Sequence, residues 1–104
     1  MQEKYVEAEP LARRALAIRE RQLGGNHPDT ANSLHNLASL YSEQGRDGEA
    51  DPLFKRALVI CTQTLGETHP NTQVVRRRYE SLLGKLGREE EADSVEKRGH
   101  KESD

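Results

Sequence analysis

The residues of this 104-residue chain with chemistry to offer are four histidines, one cysteine, recurring carboxylates and a run of three arginines. His27, His35, His69 and His100 are the metal-ligand types, but His27 and His69 lie 42 residues apart in matching His-Pro links. In a repeated structure that offset sets them one full unit apart along one edge, beyond the span of a single ion. A structural role within the links is expected for both. Cys61 would need a neighbouring base and a cationic environment to act as a nucleophile. Nothing near it in sequence supplies either, and its counterpart one unit earlier is Arg19. The carboxylates Glu7, Glu9, Glu49, Asp51, Glu89, Glu90 and Glu91 recur near helix starts, where negative charge favours the helix dipole. Arg76-Arg77-Arg78, followed by Lys85 and Arg88, is the sharpest local charge. It reads either as a solvated face paired with Glu80 or as a grip for carboxylate. No glycine-rich phosphate loop, metal-ligand cluster or nucleophile–base–orienter set occurs. No catalytic residue, metal or cofactor is therefore expected.

Composition narrows the elements that must position these groups. Hydrophobic and charged residues each make up 33% of the chain, which is lean for a single central core. Stacked repeats need less, because each unit buries only the faces it shares with its neighbours. With no Trp, one Phe and three Tyr, there is no aromatic cluster to stack on bases or a cofactor. A net charge of −2 gives no global attraction to nucleic acid or anionic lipid. No apolar run approaches membrane-spanning length, and Met1 to Pro10 is too acidic and polar for a secretory signal. One cysteine excludes an intrachain disulfide, in keeping with a reducing compartment. The expectation is a cytoplasmic protein of one domain.

Self-similarity at an offset of 42 organises the whole chain. Glu7-Ala8-Glu9-Pro10-Leu11 lies on Glu49-Ala50-Asp51-Pro52-Leu53, and Arg14-Ala15-Leu16 on Arg56-Ala57-Leu58. Leu23-Gly24 and His27-Pro28 meet Leu65-Gly66 and His69-Pro70. Within a unit the period is helical: Ala31, Leu34, Leu37, Ala38 and Tyr41 recur at spacings of three and four, as do Ala50, Leu53, Phe54, Ala57, Leu58 and Cys61. Between them, Glu43-Gln44-Gly45-Arg46 is a tight turn in which Gly45 takes the left-handed conformation, so the two helices are antiparallel. In the longer link Gly24 stops one helix, Pro28 suits the first turn of the next, and Asp29 or Thr30 is expected to bond its free backbone N–H groups. These signals predict helices over 3–23, 28–44, 47–65, 70–86 and 89–98. The chain is then all-α: a lone leading helix (3–23), a complete repeat (28–65), a degenerate capping repeat (70–98) and a frayed tail (99–104). The cap is read from polar replacement on the last unit, where Leu34 is answered by Arg76, Ala38 by Glu80, Phe54 by Glu96 and Ala57 by Gly99.

These residues resemble the tetratricopeptide repeat, in the 42-residue variety found in kinesin light chains. Leu34, Leu37, Ala38 and Tyr41 match the family pattern of the first helix of a unit, and Ala50, Phe54 and Ala57 match that of the second. The resemblance implies a right-handed α-solenoid of antiparallel hairpins, and a protein–protein interaction scaffold rather than an enzyme. It also implies that the first helices line a concave groove. The groove positions are Asn32, His35, Asn36, Ser39 and Ser42 or Glu43 on one side, and Val74, Arg77, Arg78, Ser81 and Lys85 on the other. One wall is amide and hydroxyl and the other cationic, which suits an acidic peptide or a C-terminal carboxylate. Net charge and the scarcity of aromatics argue against nucleic acid. The leading helix has apolar residues over more than one stripe, and its hairpin partner is absent from the chain. Tyr5, Leu11, Ala12 and Ala15 are accordingly expected to form a self-association surface, giving a homodimer through the N-terminal helix.

Overall fold

His27-Pro28 and His69-Pro70 open two helices in the same way. With proline in the first helical turn, the residue before it becomes the cap, and its extended backbone turns the imidazole back over the helix start. His27 Nδ1 accepts a hydrogen bond from the Asp29 N–H at 3.0 Å, and His69 Nδ1 accepts one from the Asn71 N–H at 3.1 Å. The expectation that Asp29 or Thr30 would cap the helix is thus corrected. Proline fixes the cap one residue earlier, and Thr30 instead donates its hydroxyl to the Gly24 carbonyl at 2.8 Å, tying the link to the preceding helix. An imidazole can accept at Nδ1 only when that nitrogen carries no proton, so both histidines are held as structural acceptors.

The computed structural model describes residues 2–87, with side chains from Tyr5 onward. Four helices follow in order: α1 (Gln2–Leu23), α2 (Pro28–Glu43), α3 (Asp47–Leu65) and α4 (Pro70–Lys85). No strand occurs among the described residues. The observed ends lie within one residue of the expected ones, and the expected helix over 89–98 falls outside the described residues.

The α2–α3 turn is set by local chemistry. Gly45 has φ +81°, and the Arg46 N–H reaches back to the Tyr41 carbonyl at 2.8 Å while the Gly45 N–H bonds the Ser42 carbonyl at 3.0 Å. These two bonds satisfy carbonyls that the end of α2 would otherwise leave open, and they need a residue that tolerates positive φ. Gly87 repeats this backbone state 42 residues later, at φ +75°. The short turn forces α2 and α3 together, and theirs is the most extensive interface. α1 packs on the other side of α2, and α4 packs on α3.

Two buried clusters fill the interfaces. One joins Leu37, Ala38, Tyr41, Ala50 and Phe54 to Tyr79, Leu82 and Leu83; the other joins Ala31, Leu34, Ala57, Ile60 and Cys61 to Val75. Ala31, Ala38, Ala50 and Ala57 are each 0% exposed. Small side chains there let helix backbones approach closely, while Leu34, Leu83 and Phe54 fill the flanking space. α1 differs from the others: none of its described side chains is buried.

Half-buried Ala12 and Leu16 pack it against the core, and charge adds to that contact along its length. Arg46 and Arg13 both ion-pair with the Glu9 carboxylate, at 2.9 and 3.0 Å, and the Tyr41 hydroxyl donates to it at 3.2 Å. Arg46 also lies over the Tyr41 ring, 4.4 Å from its centre, and pairs with Glu49. Partial burial pushes the Glu9 carboxyl upward, but the hydrogen bonds from Arg13 and Arg46 outweigh this and hold it below the usual carboxylate range. The sequence assigns this residue to the helix dipole; in the fold it links α1 to the α2–α3 turn. Near the other end, Glu20 pairs with Arg56 at 2.7 Å and Arg19 donates to the Asp29 carbonyl at 3.1 Å.

Candidate interaction groove

α3 carries both α2 and α4, and the space between these two helices holds two clefts. Both clefts draw residues from the same turns of α2 and α4, because the His-Pro links start the two helices in the same register.

The first cleft, of about 330 Å³, runs along the N-terminal halves of the two helices. Its floor is apolar, formed by Ala31, Val75, Cys61 and Leu65, with the half-exposed Val74 on the rim. Asn32 and Asn71 supply amides, Asp29 supplies a carboxylate, and the His35 ring closes the side toward the second cleft. That ring stands 5.7 Å from the Phe54 ring in a tilted contact. His35 Nε2 is buried, and no protein group bonds it among the described residues. Burial, and then the positive charge of Arg78, push the imidazole below its ordinary value, so it is neutral at physiological pH. Burial likewise pushes the Cys61 thiol up, leaving it a protonated part of the floor rather than a nucleophile.

The second cleft is smaller, about 130 Å³, and lies between the C-terminal halves. Phe54 and Leu82 form its base, Ser39, Ser42 and Ser81 offer hydroxyls, and Arg78 and Lys85 supply positive charge. Glu43 stands on the same rim. The Lys85 ammonium is already engaged: it donates to Ser42 Oγ at 3.3 Å and lies 3.7 Å from the Asp47 carboxylate. Arg78 is exposed and has no ion-pair partner among the described residues. It is therefore the cation of this cleft most open to an incoming anion.

Of the groove residues expected from sequence, Asn32 and His35 line the first cleft, and Ser39, Arg78, Ser81 and Lys85 line the second. Asn36 and Arg77 are exposed but line neither. The sequence reading missed the floor, namely Cys61 and Leu65 in one cleft and Phe54 in the other. These come from α3, and their apolar periodicity signals burial without saying which gap lies above them. On the N-terminal helix, Leu11 and Ala15 are exposed, while Tyr5 and Ala12 are half-buried and Ala12 packs against the core.

Among the described residues no group of histidine, cysteine and carboxylate side chains is arranged to hold a metal ion, and no helix is long and apolar enough to cross a membrane. In comparison with known proteins, the family described as tetratricopeptide repeat matches residues 1–58, more than half of the chain. No curated protein matches it.

Proposed function

The chain belongs to the tetratricopeptide repeat family, whose domains generally mediate protein–protein interaction without catalysis, and on that premise we propose that it is a scaffold binding an acidic peptide segment between α2 and α4. On this reading the chain is one array of the 42-residue, kinesin light chain-like variety, wound as a right-handed α-solenoid with the groove on its concave side. The observation that carries the proposal is the exposed Arg78 guanidinium, without an ion-pair partner among the described residues, on the rim of a cleft lined with serine hydroxyls. A guanidinium grips carboxylate in bidentate fashion, and the hydroxyls and Asn32 are suited to bonding an extended backbone. Asn36, Arg77 and Lys85 extend the same polar face and widen its electrostatic attraction to an acidic partner.

The test is a titration of glutamate-rich peptides against the parent protein and two variants. Arg78→Glu is expected to weaken binding by about tenfold or more, since a charge-assisted hydrogen bond contributes about 1.5–3 kcal/mol. Arg77→Glu, outside the cleft, is expected to have a smaller effect, and added salt should weaken binding to the parent. Undiminished affinity in Arg78→Glu refutes the groove assignment.

A second reading, self-association through α1, rests on a comparison internal to the chain. Leu11, Ala15 and Ile18 occupy the places that Leu53, Ala57 and Ile60 hold in α3. Leu11 is 63% and Ile18 43% exposed, whereas Ala57 and Ile60 are 0% and 3% exposed beneath their neighbours. Leu11, Ala15 and Ile18 lie within about 60° of one another round α1 and present an apolar stripe of the kind that pairs with a like surface. We expect sedimentation equilibrium at micromolar concentration to show dimers that Leu11→Glu dissolves. A clean monomer, with Leu11→Glu changing neither mass nor stability, would show that α1 is self-sufficient.

A further inference from the structure

The two clefts differ in chemistry, and their order along the groove specifies more than an acidic partner. The second cleft has an open cation and hydroxyls. The first has no lysine or arginine in its lining; it has an apolar floor, two amides, the wall of an imidazole and, as its one charged group, the exposed Asp29 carboxylate, which repels an acidic side chain. A carboxylate gains nothing by lying on Val74, Val75 and Leu65, and an aliphatic side chain gains nothing beside Arg78. Each cleft therefore selects a different residue of one ligand.

The spacing follows from the helix that lines both. From Val74 to Arg78 is four residues of α4, about 6 Å at ~1.5 Å per residue. An extended strand covers that length in about two residues at ~3.4 Å each. We propose that the groove recognises a two-point motif: an acidic residue in the cleft at Arg78, and an uncharged aliphatic side chain about two residues away in the cleft at Val74. The proposal rests on the groove reading above and narrows its partner class. Asn32 and Asn71 bond the backbone of the aliphatic residue. His35 stands between the two anchors, and a rotation of its ring toward the peptide would let Nε2, which no protein group bonds among the described residues, bond the ligand.

The experiment uses labelled twelve-residue peptides of serine and glycine carrying a Glu-Glu pair and one leucine, in both orders. The spacing between them is set at two, five or eight residues, and binding is followed by NMR titration, which reads weak affinities. Expected is a maximum at the two-residue spacing in one of the two orders, at least fivefold above the others, with leucine to alanine lowering it to the same extent. Val74→Asp, at a 41% exposed position where the fold tolerates charge, should erase the leucine and spacing preference while leaving the response to Glu-Glu. Arg78→Glu should do the reverse. Binding that depends on Glu-Glu and Arg78 but ignores leucine and spacing overturns the two-point motif and leaves the acidic groove standing. No binding of any peptide overturns both.

Discussion

Truncating Phe54 to alanine is expected to cost about 3–5 kcal/mol of folding stability, measured by urea or thermal denaturation followed by circular dichroism. The ring is 3% exposed and sits where α2, α3 and α4 meet, against Leu37, Ala38, Tyr41, Tyr79, Leu82 and Leu83. No neighbour is placed to collapse into the gap, because the surrounding alanines already hold the backbones at close range. Domains are stable by only about 5–15 kcal/mol in total, so this one change removes a large part of it. It also takes away the ring that His35 leans on and the base of the cationic cleft. A loss below about 1 kcal/mol would place the ring outside the core.

Ala57→Leu is the second large effect, and its control lies within the same chain. Ala57 has no exposed surface and is packed among Ala31, Leu34, Ile60, Cys61 and Val75. Extra methyl groups there must push α3 off its neighbours, an overpacking that costs about 1–3 kcal/mol. Ala15 is the same residue one repeat earlier, in the same local sequence, but exposed on α1. Ala15→Leu is expected to change stability by less than about 0.5 kcal/mol. Equal losses from the two substitutions would mean that the repeat register does not describe the packing.

The comparison of sequence with fold turns on what is local. Pro28, Pro70, Gly24 and Gly45 each act on their own few residues, so the helix boundaries were legible to within one position. The caps were not, because aspartate and threonine are stronger capping types than histidine in general and only the proline's place shifts the cap onto His27. The groove was legible as a face but not as clefts. Asn36 and Arg77 share that face with His35 and Arg78, yet which of them border a gap depends on how α3 sets α2 and α4 apart. Glu9 shows the same limit. Its role as partner to Arg46 depends on two residues 37 positions apart being brought together, which no local pattern in α1 announces.

The manner of α1's attachment has a kinetic consequence. Its amides are protected by a helix that buries none of its described side chains and is clasped to the rest by Glu9–Arg46, Glu20–Arg56 and a few hydrogen bonds. Releasing it uncovers Ala12, Leu16 and the face of α2 beneath them but leaves the α2–α3 and α3–α4 interfaces intact, so it opens at a free energy below that of global unfolding. The α2–α3 hairpin, holding most of the buried side chains, opens only with the whole. In native-state hydrogen exchange the chain therefore divides into two tiers. Because the clasps on the weaker tier are ionic, salt hastens exchange in α1 while leaving α2 and α3 nearly untouched.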